Sequence, residues 1–254
     1  PFKEWHMDKE SFDFKKNPPN GIFYNRMSAS SHSRGHRYAP ENTKDVLGWL
    51  EKDKKRVINN SRALELEISK KKQYEELKRF NINFPKTYYA KDIKEIIENS
   101  KKFNKPFITK HNRGGRGLGV RYFKNTSELE NYVNKNFENS IDGTTLLQEY
   151  IDSNPKVITR VEFVKGEFLY AVQVDASDGF ELCPADECNV EEKFCPANPD
   201  GNKFMILKNY ENPEIKKYEA LLKSNGIEIA GIEYIKGKDG VHYTYDINTN
   251  TNYN

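Results

Sequence analysis

The chain has 254 residues, which is enough for one large domain or two small ones with a buried core. Its 41 basic and 38 acidic residues are interspersed and give a net charge of only +3, whereas nucleic-acid binding usually needs a concentrated basic face. No apolar run approaches the ~18 residues that a membrane span requires. We therefore expect a soluble protein that binds neither nucleic acid nor membrane.

The cysteines also bear on where the protein works. Cys183, Cys188 and Cys195 are close together and odd in number, unlike the framework of a secreted disulfide-rich domain. Their spacing contains no C-x-x-C pair and no intervening His, so we favour reduced thiols over a zinc site. A cytoplasmic location is the expectation.

Hydrophobic periodicity and turn residues predict an α+β chain. In chain order, the predicted elements are a strand at 21–26, a helix capped by Asn42, a short strand at 57–59, a helix at 62–80, an extended segment from Pro85, a helix capped by Asp92, strands at 107–110 and 120–123, a helix from Thr126, a strand from 146, a hairpin at 159–174, a helix from Pro213 and a hairpin at 229–248.

One stretch of the second half has no clear element. Residues 176–212 are longer than most loops and contain Pro and Cys, so we expect an irregular segment that is functional or mobile. It supplies second-choice substrate contacts at Phe180, Glu181, Cys183 and Asp186.

The final hairpin carries a candidate metal site. Apolar and polar residues alternate along its last strand, so period two places the polar ones on one face: His242, Thr244, Asp246 and Asn248. Glu233 lies on the partner strand and would sit across from them. Two carboxylates and an amide oxygen are hard ligands of the kind that Mg²⁺ uses. Alternation alone favours a solvated outer face instead.

A glycine-rich segment lies between two predicted strands. Its glycines Gly114, Gly115, Gly117 and Gly119 would let backbone N–H groups approach a phosphate, with Lys110 adding a positive charge. No Gly-Lys-Ser/Thr and no helix follow, so the segment is neither a Walker loop nor a dinucleotide fingerprint. By itself, it fits an ordinary hairpin equally well.

The order of these features is more informative than any one of them. With its lysines, glycine-rich loop and acidic hairpin in this order, the sequence resembles the glutathione-synthetase-like ATP-grasp ligases, and within them the RimK-type α-L-glutamate ligases. The resemblance covers roughly residues 20–254 and is carried by Lys70, Pro85, Lys110, Gln148–Ile151, Arg160, Glu233, Asp246 and Asn248.

The resemblance implies a role for each of these positions. Lys70 and Lys110 would hold the ATP phosphates, the loop at 114–119 would cover them, and Arg160 and Lys110 would act on the transferred phosphoryl group. One or two Mg²⁺ ions, or Mn²⁺, would be bound by Glu233, Asp246 and Asn248. Adenine would be read, largely by backbone groups, along Gln148, Glu149, Tyr150 and Ile151.

The sequence departs from the family pattern in three places. Ile158 replaces an acidic residue of a ribose-binding position, for which Asp152 is an alternative. Thr251-Asn252 replaces the Pro-Gly that follows the metal-binding Asn. Asp246 stands where the family usually has Glu, which is chemically equivalent.

A polar cluster follows the first predicted strand, at the end of a strand where α/β sheets place ligands. It is rich in Arg, His and Ser, which suit a carboxylate or phosphate because guanidinium groups bind these bidentately. We predict substrate contacts, against the alternative of a solvated basic loop, at Arg26, Ser28, His32, Arg34 and His36.

The implied fold is an ATP-grasp fold, in which two α+β subdomains sandwich ATP, preceded by a partial N-terminal α/β domain. The predicted units are residues 1–60 for that domain, 61–145 for the central and lid subdomain, and 146–254 for the C-terminal catalytic subdomain. We expect segments missing at both ends.

The implied activity is an ATP-dependent, ADP-forming carboxylate–amine ligase with small-molecule or peptide substrates, which adds glutamate or another amino acid. An ATP-grasp small-molecule kinase and a non-catalytic nucleotide-binding module are the alternatives. A homo-oligomer is left open.

Overall fold

The computed structural model describes residues 2–115, 117, 119–176 and 204–251. In this part of the chain the α-helices are α1 (Ala39–Lys52), α2 (Ser61–Glu67), α3 (Lys70–Arg79), α4 (Ile93–Ser100), α5 (Thr126–Asn136) and α6 (Glu214–Ser224), with a 3-10 turn at Ser31–Arg34. The strands are β1 (Ile22–Tyr24), β2 (Arg56–Ile58), β3 (Thr87–Ala90), β4 (Phe107–His111), β5 (Arg121–Phe123), β6 (Thr145–Glu149), β7 (Val157–Val164), β8 (Glu167–Asp175), β9 (Phe204–Leu207), β10 (Ile229–Lys236) and β11 (His242–Asn248). This mixture confirms the predicted α+β class.

The strands of the described residues pair in three sheets. The largest is antiparallel with the order β11-β10-β7-β8-β9, and a second antiparallel sheet has the order β3-β6-β4-β5. Strands β1 and β2 form a small parallel pair. The predicted hairpins at 159–174 and 229–248 are confirmed as β7–β8 and β10–β11.

Each sheet has its own apolar core. The largest core packs α2, α3 and α6 against the five-stranded sheet and includes the fully buried Tyr74 and Tyr218. The second packs α4 and α5 on the four-stranded sheet around Phe107, and the third joins α1, α2 and β2 around Leu50. The predicted inward residues of α6 are buried: Ile215, Tyr218, Leu221 and Leu222.

The single helix predicted at 62–80 is wrong, because the chain breaks it into α2 and α3. Ser69 takes an extended conformation between them, and its hydroxyl accepts a hydrogen bond from the backbone N–H of Lys72 at 3.4 Å. A serine cap satisfies a backbone donor that the start of a helix leaves unpaired. The break places Lys70 at the first residue of α3.

Two further expectations need correction. Helix α1 begins at Ala39 with Pro40 in its first turn, so Asn42 lies inside the helix and its amide donates to Met7 O at 2.8 Å instead of capping. The irregular stretch predicted at 176–212 contains β9, whose apolar residues add a strand to the edge at β8.

The division into units at 1–60, 61–145 and 146–254 stays a prediction. Strand β6 begins at the second boundary but pairs with β3 and β4, which lie before it. Helices α2 and α3, which follow the first boundary, pack in the core of the five-stranded sheet. Among the described helices, none is long and apolar enough to cross a membrane.

Candidate active site

A cavity of about 1370 Å³ is lined by residues of both large sheets. The four-stranded sheet contributes residues of β4 and β6, and the five-stranded sheet contributes residues of β7, β10 and β11. Most of the predicted nucleotide and metal residues line it: Lys70, Lys110, Gly114, Gly115, Gly117, Gln148, Glu149, Tyr150, Ile151, Arg160, Glu233, Asp246 and Asn248. Residues far apart in sequence therefore converge on one space.

Three charged residues form a row across neighbouring strands at the floor of this cavity. Glu233 of β10 pairs directly with Asp246 of β11 on one side and with Arg160 of β7 on the other. Directly opposite residues in antiparallel strands have Cβ atoms only ~5 Å apart. The sheet register therefore holds the two carboxylates together, as the sequence predicted.

The prediction that His242 and Thr244 share this face is wrong. The register of β10 and β11 shifts after Glu233, so Tyr234 pairs with Thr244 and the strand carries one extra residue, Tyr245. Such a bulge interrupts period two. Thr244 is fully buried and its hydroxyl contacts Tyr218 Oη of α6 at 2.7 Å, on the core side of the sheet.

Each carboxylate of the row is paired with a cation. Lys70 Nζ donates to Asp246 Oδ1 at 2.6 Å, and Arg160 Nη1 donates to Glu233 Oε1 at 2.8 Å. Burial alone would raise the pKa of Asp246, but the Lys70 ammonium outweighs it and lowers that pKa. For Glu233, burial outweighs the attraction of Arg160, and the pKa is raised.

Lys110 is buried among aromatic rings beside this row. Its Nζ donates to Tyr245 O at 3.3 Å and lies 5.3 Å from the centre of the Tyr74 ring. Burial, followed by the neighbouring Lys70 charge, lowers the pKa of Lys110 to about 7. An amine in this state would gain a proton and an ionic partner when an anion enters the cavity.

The oxygen donors of the row fit a hard divalent cation. Asp246 and Glu233 supply carboxylates, and Asn248, which lines the same cavity, supplies an amide oxygen. Within the described residues no group of three or more His, Cys, Asp or Glu side chains has the arrangement of a metal site. A metal site here therefore depends on two carboxylates and one amide.

The glycine-rich segment borders the cavity opposite the predicted substrate cluster. Gly114, Gly115 and Gly117 line the cavity, whereas Gly119 does not. A Cβ on Gly115 would lie 3.6 Å from the Cβ of Ser30, so the two segments face each other closely.

The segment predicted to read adenine uses several of its polar groups internally. The Gln148 side chain donates to Tyr74 Oη at 2.8 Å and to Thr87 Oγ1 at 2.9 Å. The backbone N–H groups of Glu149 and Tyr150 donate to carbonyls of neighbouring segments. Gln148 therefore shapes the cavity wall, and adenine recognition by residues 148–151 stays a prediction.

The predicted substrate residues separate into two sets. Ser28 and Arg34 line the cavity, and Arg34 Nη1 donates to Ser30 Oγ at 3.1 Å. Arg26 Nε donates to the side chain of Asn250, itself a lining residue, at 3.2 Å. The other two residues, His32 and His36, are not brought to the cavity: His32 contacts Ala29 O, and His36 Nδ1 pairs with Asp8 at 2.8 Å.

Glu67 is a buried cavity residue that the sequence did not indicate. Its Oε1 accepts the backbone N–H of Ala29 at 3.2 Å, and its Oε2 accepts that of Thr249 at 2.7 Å. Burial raises its pKa, against the effect of these two hydrogen bonds. Glu67 thereby ties the predicted substrate cluster, at Ala29, to the end of β11.

Asn112, which sequence reasoning also missed, joins the two predicted phosphate-binding lysines. Its side-chain Oδ1 accepts the backbone N–H of Lys71 at 2.8 Å, and its carbonyl accepts that of Lys70 at 3.2 Å. The end of β4, which carries Lys110, is thus fastened to the first turn of α3. No local signal could reveal a cap supplied from 41 residues away.

At the cavity rim, Ile158 is only 7% exposed and Asp152 Oδ2 pairs with Lys238 Nζ at 2.6 Å. Both residues line the cavity. A ribose contact at Asp152, in place of the acidic residue that Ile158 replaces, stays a prediction. The second-choice substrate residues and the cysteines lie outside the described residues: Phe180, Glu181, Cys183, Asp186, Cys188 and Cys195.

Comparison with known proteins agrees with this architecture. Residues 68–192, just under half of the chain, match the family model of the RimK-like ATP-grasp domain. No curated protein sequence gives a significant match.

Solved structures of ATP-grasp proteins superpose on most of the chain. The ATP-grasp ligase PsnB complexed with minimal precursor has a TM-score of 0.57 at 15% identity, over 88% of this chain and 65% of its own. A RimK domain protein ATP-grasp from Sphaerobacter thermophilus has a TM-score of 0.59 at 12% identity, over 90% and 73%. A RiPP-associated ATP-grasp ligase from Chryseobacterium gregarium, in complex with ADP and a leader and core peptide, has a TM-score of 0.57 at 17% identity, over 87% and 62%.

These matches confirm the ATP-grasp fold and the resemblance to ATP-grasp ligases of the RimK type. The chain spans about 65% of the length of the PsnB structure.

Below pH 7, we expect Lys110→Met to have a higher free energy of unfolding than the wild type. This difference should shrink as the pH rises from about 7 to 10.5. Burial lowers the pKa of Lys110 from 10.5 to about 7, so the unfolded chain binds more protons between these values. Wild-type stability therefore rises with pH across this window, whereas the variant lacks the dependence. Urea unfolding below, within and above the window measures the difference.

The exposed Lys94→Met on α4 serves as the matched control and should follow the wild-type pH profile. Identical profiles for wild type and Lys110→Met would show that the amine of Lys110 is not desolvated.

Proposed function

We propose that the protein is an ATP-dependent, ADP-forming ligase that joins a carboxylate to an amine through an acyl phosphate. The observation that carries the proposal is the convergence in one cavity of three basic side chains, Lys70, Lys110 and Arg160, with the Asp246–Glu233 row. Cations suit the phosphates, and the carboxylates suit the divalent ion that accompanies them. A non-catalytic nucleotide-binding module would have less need of both the basic residues and the metal-binding carboxylates.

In this proposal the triphosphate of ATP lies between the two sheets. Lys70 of α3 and Lys110 of β4, which line the same cavity, would bind the phosphates, and backbone N–H groups of Gly114, Gly115 and Gly117 would add further donors. The segment 148–151 lines the adenine end, beside the apolar Ile158. Asn112 keeps the two lysines in register.

The donor set Glu233, Asp246 and Asn248 would hold one or two Mg²⁺, with Mn²⁺ as an alternative. When bound, the metal neutralises charge on the phosphate oxygens. Support comes from PsnB, one of whose solved complexes contains Mg and ADP. Lys70 and Arg160 keep the carboxylates of this set oriented.

The chemistry needs two steps and no covalent enzyme intermediate. A carboxylate oxygen of the substrate attacks the γ-phosphorus, so that an O–P bond forms, the bond to ADP breaks and an acyl phosphate results. The amine nitrogen then attacks the acyl carbon, a C–N bond forms, and inorganic phosphate and a proton leave. Lys110 and Arg160 balance the negative charge that develops on the transferred phosphoryl group.

The substrate carboxylate would enter beside Ser28 and Arg34, with Arg26 held next to it by Asn250. The Arg34 guanidinium and the neighbouring hydroxyls of Ser28 and Ser30 would bind a carboxylate more strongly than they would bind a neutral group. Peptide substrates are supported by the peptide complexes of the structural neighbours. We propose a peptide or small acid with glutamate or another amino acid as the amine; the cytoplasmic location stays a prediction.

Hydroxylamine trapping tests the reaction. With ATP, Mg²⁺ and a panel of acids that includes free L-glutamate and glutamate-containing peptides, we expect a hydroxamate with at least one acid. Asp246→Asn should lower the rate of its formation ~100-fold or more, because it removes a charged ligand of the metal site. The exposed Asp53→Asn at the end of α1 is the control and should leave the rate unchanged. ADP formed together with a stable phosphoester and no hydroxamate would identify a kinase instead.

Arg34→Ala tests the substrate side of the cavity. We expect its KM for the carboxylate substrate to rise ~10-fold, since one charge-assisted hydrogen bond is lost. The affinity for a non-hydrolysable ATP analogue should stay unchanged. The exposed Arg121→Ala on β5 is the control, measured by the same steady-state kinetics and calorimetry. A loss of nucleotide affinity in Arg34→Ala with an unaltered KM would contradict the assignment.

A further inference from the structure

The guanidinium of Arg160 is held by three side chains on three sides. Its Nε donates to Glu162 Oε1, its Nη1 to Glu233 Oε1 at 2.8 Å, and its Nη2 to Thr251 Oγ1 at 2.6 Å. The Arg160 side chain is 20% exposed, and those of Glu162 and Glu233 are 4% and 6% exposed. An arginine at the wall of an open cavity is thus anchored from the buried side.

Thr251 closes this arrangement. It is 2% exposed, and its hydroxyl oxygen lies 3.2 Å and 3.0 Å from the two carboxylate oxygens of Glu162. The hydroxyl accepts from Arg160 and donates to Glu162, so it links the arginine to the carboxylate a second time. Thr251 stands where the family resemblance leads one to expect Pro, which has no hydroxyl.

A missing side chain on the neighbouring strand makes room for the guanidinium. A Cβ added to Gly231 would lie 2.3 Å from Nη2 and 2.6 Å from Cζ of Arg160. No such approach occurs between real atoms, so any other residue at this position would displace the guanidinium. Gly231 also pairs directly with Glu162 across β10 and β7, which places the space beside the anchor.

The hydrogen-bond count leaves Arg160 able to bind a ligand. A guanidinium has five N–H donors, and the bonds to Glu162, Glu233 and Thr251 use one donor on each of its three nitrogens. Glu162 takes no part in lining the cavity, whereas Arg160 and Glu233 do. Glu162 and Thr251 therefore act on a cavity ligand through Arg160 and not by contact.

We infer that Glu162, Thr251 and Gly231 are positioning residues that fix the Arg160 guanidinium toward the γ-phosphoryl group of the nucleotide. The inference rests on the proposed function, in which Arg160 meets that group. A preorganised donor needs no reorientation when charge develops, which is the source of its electrostatic effect. Glu162 and Thr251 supply that order, since a solvent-exposed arginine would sample many rotamers.

The test separates binding of the γ-phosphoryl group from binding of the rest of the nucleotide. Calorimetry of the full chain with Mg²⁺ gives the Kd of ADP and of AMPPNP, and their ratio reports the γ-phosphoryl contribution. We expect AMPPNP to bind the wild type at least ~10-fold more tightly than ADP. Thr251→Val and Glu162→Gln, which keep side-chain shape, should reduce this ratio to within ~2-fold of unity while the Kd of ADP is preserved.

Three further variants make the result specific. Arg160→Ala should reduce the ratio in the same way, and Thr251→Ser, which retains the hydroxyl, should restore it. Thr43→Val removes a different buried hydroxyl, in α1, and should keep the wild-type ratio. A general loss of structure would instead weaken ADP binding and lower the melting temperature together.

The remaining outcomes overturn the inference in distinguishable ways. If Arg160→Ala lowers the ratio but Thr251→Val and Glu162→Gln do not, the positioning role is wrong and the proposed function stands. If Arg160→Ala leaves the ratio intact, Arg160 does not meet the γ-phosphoryl group and the inference fails. If the wild type binds neither nucleotide, the proposed function itself fails.

Discussion

The site depends on holding two carboxylates side by side in a largely buried place. Glu233 and Asp246 are direct neighbours across β10 and β11, where their charges repel each other. Arg160 from β7 and Lys70 from α3 each pair with one of them. Removing one partner from a buried pair typically costs ~3–5 kcal/mol, because the other charge is left uncompensated. The register of three strands and the placement of one helix therefore bring to each buried carboxylate the cation that compensates it.

The charged residues of the cavity have opposite effects on the stability of the fold. The Lys70–Asp246 pair favours the folded chain, whereas the buried Lys110 opposes folding around neutral pH, since its ammonium is desolvated and lies near Lys70. In the proposed function, the bound polyphosphate would give Lys110 the ionic partner that it lacks among the described residues. Strain of this kind is expected at binding sites and is compensated by the three apolar cores.

The sequence was informative where the signal is local or ordered. The predicted final hairpin correctly placed Glu233 across from Asp246, and the order of the motifs indicated the ATP-grasp fold. Period two failed at Tyr245, because a bulge adds a residue that no pattern in the letters reveals. Ser69 is a typical helix N-cap and could have indicated the break before Lys70, but the helix-forming residues on both sides of it favoured one continuous helix. Contacts between distant segments, such as those of Asn112 and Thr251, depend on the assembled sheets and lie beyond single-sequence reasoning.

The most direct test of the account is thermal unfolding with Mg²⁺ and excess AMPPNP, compared with Mg²⁺ alone, for the wild type and Lys110→Met. At a hundredfold excess over Kd, binding adds about 2.7 kcal/mol to the free energy of unfolding. For a chain of this size the melting temperature should rise ~5–10 °C in the wild type and remain unchanged in the variant. No shift in the wild type, or an equal shift in Lys110→Met, would contradict a nucleotide site built around these cations.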